Sequence, residues 1–199
     1  MVWSLWFHQL ASPPYFYRLA GRLAPWLAWA SLIVILAGLY GGLWLAPPDY
    51  QQGDGFRIIY VHVPSAWMSL FIYVVMALAA AIGLIWRMKL AHAVSAAAAP
   101  LGAAFTFLAL VTGSLWGRPM WGAWWVWDAR LTSVLVLFLF YVAYLALRAS
   151  IDDEAKGARA AAILALVGLV NLPIIHFSVI WWNSLHQGSS MFTKGALAP

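Results

Sequence analysis

WGRPMWGAWWVWDARLT, residues 116–132, gathers five of the chain's fourteen tryptophans (Trp116, Trp121, Trp124, Trp125 and Trp127) and follows them with Asp128 and Arg130. A bilayer helix has no need of such a run, because Leu, Val and Ala supply apolar area without an indole N–H to satisfy. One or two tryptophans at a helix end serve as an interfacial belt. Five in close succession point instead to a flat aromatic platform facing something. Long uncharged runs lead into this stretch and away from it, so it reads as a water-facing loop between two membrane spans.

Composition agrees with that division. Of 199 residues, 65% are hydrophobic and 9% charged, with a mean hydropathy of +0.84. These values exclude a soluble globular domain and a disordered chain, and give an all-α, polytopic membrane bundle forming one integral membrane domain over residues 1–199. The net charge of +5 is scattered over the loops, so it reports the lipid bilayer and orientation, with no nucleic acid. The absence of cysteine removes thiolate sites and disulfides, leaving histidine, carboxylate or methionine for any transition metal. Residues 1–10 carry no basic residue ahead of their apolar stretch and no small-residue cleavage site follows, so no secretory signal is read there.

In order, residues 1–24 mix Trp, Phe and Tyr with Arg18 and Arg22 and read as a segment lying along the membrane surface. Residues 25–46 give a first span, about 33 Å as a helix. A polar loop over 47–62 follows, then a second span over 63–86, with His62 at its mouth and Pro64 in its first turn. Arg87, Lys89 and His92 make a basic turn. Residues 94–115 and 131–147 are spans three and four, flanking the Trp-rich loop. After the polar loop 148–159, a fifth span covers 160–180, and a tail closes the sequence. Loops alternate in side. Arg18, Arg22, Arg87, Lys89, Arg148, Lys156 and Arg159 share one surface, against Arg57, Arg118, Arg130 and Lys194 on the other. The first group is therefore cytoplasmic, and His62, the tryptophans and His186 emerge together on the outer face.

Either histidine alone fits an interfacial residue. Together, beside an aromatic platform, two neutral imidazoles can hold a haem iron from opposite sides while indoles pack on the porphyrin. Arg57, Arg118 and Arg130 offer guanidinium forks for its propionates, or ordinary headgroup contacts. Asp128 reads either as the N-cap of the fourth helix or as a partner of Arg130; were the segment helical, it would share a face with Trp121 and Trp124 or Trp125. His176, inside the fifth span after Asn171 and Pro173, is read as structural or as support for a ligand. His8 and His92 are assigned nothing.

The Trp-rich stretch resembles the signature of the haem-handling proteins of cytochrome c biogenesis. YVHVPSAW (residues 60–67) and NLPIIHFSVIWWNSLHQGS (residues 171–189) are similar to the small, CcmC-type family of bacterial system I. The likeness covers nearly the whole chain, with three separated motifs in order. It implies an inner-membrane protein with six spans, of which five are read here before the chain stops at Pro199, as a truncated product or a shortened member. It also implies that haem b binds at the periplasmic face, with His62 and His186 as axial ligands and Trp116, Trp121, Trp124, Trp125, Trp127 and Asp128 in the haem-binding domain. Arg57 and Arg130 would meet the propionates. The implied partners are the haem chaperone CcmE, the small protein CcmD, and the ABC-type pair CcmA and CcmB. On this reading the chain binds and presents haem without a catalytic site of its own. The alternatives are a membrane haem enzyme (a b-type electron carrier or a thioether synthase) and a transporter carrying haem across the bilayer.

Overall fold

The computed structural model describes residues 12–182 and 184–186. The described chain is helical, broken by one isolated bridge between Asp49 and Gly53 and by short turns. Among the described residues, five stretches are long and apolar enough to cross a membrane, as expected.

Helix α1 is Pro13–Tyr40, starting behind Ser12 with two prolines in its first turn, where a missing N–H costs no hydrogen bond. It runs through Pro25 without a break and ends in a widened turn, Gly41–Leu45, closed by the Ala46 N–H donating to the Gly41 carbonyl at 2.8 Å. Residues 13–24, expected as a separate surface segment, are thus the opening turns of the first span; residues 1–11 lie outside the described residues. No residue of α1 is buried within the chain. It touches the bundle near its end, where Gly42 lets the Tyr60 ring approach to a distance that a Cβ would block.

A short 3-10 turn, Asp54–Ile58, feeds directly into α2, Ile59–Trp86. His62 therefore lies within the second helix rather than at its mouth, and Pro64 sits past the first turn. Arg87, in the left-handed region at φ 53°, reverses the chain into α3, Lys89–Trp121. That helix absorbs the first third of the Trp-rich stretch, so only residues 122–128 form the loop. Gly122, at φ 76°, ends α3, and its N–H donates to the Arg118 carbonyl. Helix α4, Ala129–Ser150, begins at Asp128, whose carboxylate accepts from the Leu131 N–H at 2.7 Å. The N-cap reading of Asp128 is therefore the one the fold uses.

The fifth span is two helices, α5 (Glu154–Gly168) and α6 (Asn171–Trp181). Pro173 has no N–H for the Leu169 carbonyl and its ring crowds that group, so the chain tightens over Leu169 and Val170. The buried Asn171 secures the break by donating to the Ser133 carbonyl at 2.8 Å.

Lipid offers no hydrophobic drive between helices, so close packing of small residues holds the bundle together. Ala77 and Ala80 of α2 and Ala99 of α3 are fully buried, and Tyr141 of α4 lies over Gly102, where any Cβ would overlap its ring. The Tyr141 hydroxyl donates to the Ser69 carbonyl at 2.8 Å, and that of Tyr144 to Ser95 Oγ at 3.0 Å. The interior between α2, α3, α4 and α5 is filled, and the candidate site residues lie at one end of it.

Candidate functional site

The closing turns of α3 carry the site. Thr112, Trp116 and Trp121 lie along them, and Thr112 and Trp116, four residues apart, share a face. His62 of α2 lies against this face. Its ring centroid is 5.8 Å from that of Trp116, at 68°, and its Nδ1 is 3.1 Å from Thr112 Oγ1. Gly113 makes room for it, since a Cβ there would stand 2.9 Å from the imidazole Cε1. Trp116 is fixed in turn: its Nε1 donates to Gln52 Oε1 at 2.9 Å, and Phe56 meets it edge-on at 6.3 Å. A cleft of about 290 Å³ lined by Gln51, Gln52, Gly55, Trp116, Pro119 and Met120 adjoins that indole.

His186 reaches the same end of the bundle from beyond α6. Its ring lies 5.0 Å from Trp121, at 64°, and its Nδ1 is 3.4 Å from Asp128 Oδ2. Ser184 completes the arrangement, its hydroxyl donating to Asp128 Oδ2 at 2.7 Å while its oxygen accepts from the His186 backbone N–H at 3.2 Å. The two histidines, far apart in sequence, both lie against the closing turns of α3, His62 beside Trp116 and His186 beside Trp121. The expectation that they meet at one end of the bundle holds.

The acceptors beside each ring favour the Nδ1–H tautomer. Thr112 gives its single proton to the Leu108 carbonyl at 2.6 Å, so it can only accept from His62, whose Nδ1 carries the hydrogen. An ionised carboxylate also only accepts, so Nδ1 of His186 is the donor there. Burial opposes ionisation of Asp128. The Ser184 hydroxyl, the Leu131 N–H and His186 outweigh it and hold the carboxyl below its usual range. Burial also keeps His186 neutral, with Asp128 offsetting part of that effect and Arg130 adding to it. In the Nδ1–H form each ring leaves its Nε2 with a lone pair.

The tryptophans do not form one flat surface. Trp116 and Trp121 serve different histidines, while Trp125 and Trp127 meet edge-on at 5.5 Å and 79°, and Trp124 and Trp127 are exposed. Nε1 of Trp125 is buried without an acceptor among the described residues. The arginines divide as well. Arg57 donates to the Leu43 carbonyl at 3.0 Å and the Ala46 carbonyl at 2.9 Å and pairs with Asp54 at 3.3 Å, so its fork fastens the end of α1 rather than facing the histidines. Arg118 donates to the Gly122 carbonyl. Arg130 is half-buried, reaching Ser178 Oγ and the carbonyls of Ile175 and His176 only at 3.4 Å, the outer limit of hydrogen bonding. Its donors are only loosely held, whereas both terminal nitrogens of Arg57 are engaged and its Nε is buried without a partner among the described residues. The exposed His176 ring packs on Phe177 at 4.9 Å.

Haem fits this donor set. Two lone pairs suit an iron whose four equatorial positions a porphyrin already fills, whereas no three His, Asp or Glu side chains converge among the described residues as a bare metal ion would need. The orphaned Trp125 N–H and the loosely held Arg130 supply donors for carboxylates. Thr112, Gly113, Gln52 and Ser184 escape a reading of the sequence; Thr112 alone left a signal, its i, i+4 spacing to Trp116.

Comparison with known proteins agrees. The family model described as heme exporter protein C matches residues 6–198. Heme exporter protein C of Escherichia coli (strain K12) is 60% identical over 183 residues, covering 92% of this chain and 75% of the relative. That of Bradyrhizobium diazoefficiens is 57% identical over 187 residues, covering 94% and 71%. A cytochrome c biosynthesis ccmC-like mitochondrial protein of Marchantia polymorpha is 47% identical over 186 residues, covering 94% and 79%.

Proposed function

The chain belongs to the heme exporter protein C family of cytochrome c biogenesis, and from that premise we propose that it binds haem b at the periplasmic face of a bacterial inner membrane and presents it to the haem chaperone CcmE. His62 and His186 are its axial ligands. The observation that carries this reading is the placement of two imidazoles at one end of the bundle, each against a tryptophan of the same helix and each with Nδ1 beside an oxygen acceptor, which leaves Nε2 for iron. Trp116 and Trp121 wall the iron's two sides, Trp125 and Arg130 meet the propionates, and Asp128 fixes His186.

Haem is cargo here. The adjoining cleft is at the small end of enclosed ligand pockets, roughly 300 Å³. An open seat at the membrane surface suits a ligand that must be handed on. The filled interior at Met76, Leu137 and Tyr141 argues against passage of haem between these helices. CcmD and the ABC-type pair CcmA and CcmB are the partners that would assemble around it and release the loaded chaperone. The protein itself breaks no bond of haem.

The test is transfer. Detergent-purified protein loaded with haem is mixed with purified CcmE, and haem is followed to the chaperone on a gel stained for covalently held haem. Haem reaching CcmE faster from this protein than from free solution is expected. Equal rates, or a loaded protein that retains its haem against CcmE, would overturn the proposal.

A further inference from the structure

The two ligand histidines are backed by different chemistry. Behind His62 stands a neutral hydroxyl, Thr112 Oγ1, at 3.1 Å. Behind His186 stands a carboxylate, Asp128, whose side chain is only 6% exposed. A carboxylate accepting the Nδ1 proton makes the opposite nitrogen a stronger donor to metal, and an alcohol does so much less. The Asp128 contact is long at 3.4 Å, and Arg130 nearby opposes its charge. However, the carboxylate is pinned by the Leu131 N–H and the Ser184 hydroxyl, both at 2.7 Å, and charge acts over distances at which a neutral acceptor does not. The backbones differ too, in the opposite direction, so the order rests on the acceptors behind the rings. His62 is fixed on α2, with its ring against Gly113, whereas His186 lies on the non-helical segment after α6, held through Ser184 and Asp128.

Resting on the haem-binding reading above, we propose that the two axial bonds are unequal: His186 is the anchor, and the iron–His62 bond is the one that opens when haem leaves. Haem is then held from the His186 side while its other face, beside Trp116, becomes open to a ligand supplied by the acceptor. Thr112 and Asp128 are positioning residues that set this order, one by supporting His62 weakly and the other by supporting His186 strongly.

Carbon monoxide on the reduced haem protein reports which histidine yields, because it takes the place of the weaker ligand and its stretching frequency senses the ligand left opposite. Asp128→Asn keeps an N-cap for α4 while removing the charge. Thr112→Val removes the hydroxyl at nearly constant volume, and Thr112→Ser restores it. The CO stretch is expected to shift in Asp128→Asn and to stay at the wild-type value in Thr112→Val. CO binding is expected to be about tenfold faster in Thr112→Val and near wild type in Thr112→Ser. A stretch that shifts in Thr112→Val and not in Asp128→Asn would make His62 the anchor and overturn the proposal, as would no response in either. The wild-type spectrum before CO separates this from the reading beneath it. Six-coordinate low-spin haem leaves the proposal to stand or fall on the variants, whereas five-coordinate haem defeats the bis-histidine assignment itself.

Discussion

Trp116 and Trp121 stand on the closing turns of one helix, and each meets a different histidine edge-on, His62 at 5.8 Å and His186 at 5.0 Å. The helix end is therefore a ruler between two potential iron ligands. Changes along it should alter haem binding without unfolding the bundle.

Gly113→Ala tests the packing of His62. The added methyl would lie 2.9 Å from the imidazole Cε1, so the ring must move while the helix, which gains a better helix former, does not suffer. Haem retention after detergent purification should fall while thermal stability stays within about 0.5 kcal/mol of wild type. Unchanged haem retention would show that the ring's position is not critical.

The arginines should separate by role. Arg130→Gln removes the guanidinium with loosely held donors and should speed haem loss to apomyoglobin about tenfold, corresponding to a charged hydrogen bond worth roughly 1.5 kcal/mol. Arg57→Gln unfastens the Leu43 and Ala46 carbonyls and should raise protease sensitivity in the 46–53 loop with haem loss near the wild-type rate. Equal effects on haem loss would return Arg57 to the propionates.

Acid should release the His186 segment. Burial holds the docked imidazole below the ordinary histidine value of about 6.5, whereas the undocked ring titrates normally. Acid therefore favours the undocked form: docking is fully stable above about pH 6.5 and weakens as pH falls through the lower, docked value. The low-spin haem spectrum should be constant from pH 8 to about 6.5 and decline only below that. A decline beginning near pH 8 would contradict a neutral His186.

Gly102→Ala should damage the bundle and not the site. A methyl there overlaps the Tyr141 ring between α3 and α4, an overpacking costing about 1–3 kcal/mol. Thermal unfolding in micelles should shift downward, while the fraction that remains folded keeps its haem spectrum. An unchanged melting temperature would mean that the Tyr141 contact is dispensable.

Span number and the placement of His62 and His186 at one end of the bundle are legible in the sequence, because bilayer thickness sets the length of each span and an even or odd count of spans sets which end each loop reaches. Helix ends are less so. Pro25 and Pro64 look like boundaries, yet both lie inside helices, since elsewhere in a bilayer no water replaces a broken helix. The tryptophans suggest a plane, but Gly122 turns the chain after Trp121, leaving Trp116 and Trp121 on the helix beside the histidines and Trp124, Trp125 and Trp127 in the loop beyond it. Arg57 resembles an anion ligand by type and location. Only the coordinates show that the carbonyls ending α1 already occupy its fork. Thr112 and Ser184 are common residues whose importance lies entirely in which atom they face.

The most direct measurement is the electron paramagnetic resonance spectrum of ferric haem bound to the purified protein, compared with His62→Gly, His186→Gly and His92→Ala. Two histidine ligands predict a low-spin signal in the wild type and in His92→Ala, and its replacement by a high-spin signal in each glycine variant, reversed by added imidazole. A low-spin signal that persists in either glycine variant without imidazole would contradict the joint ligation of iron by residues 62 and 186.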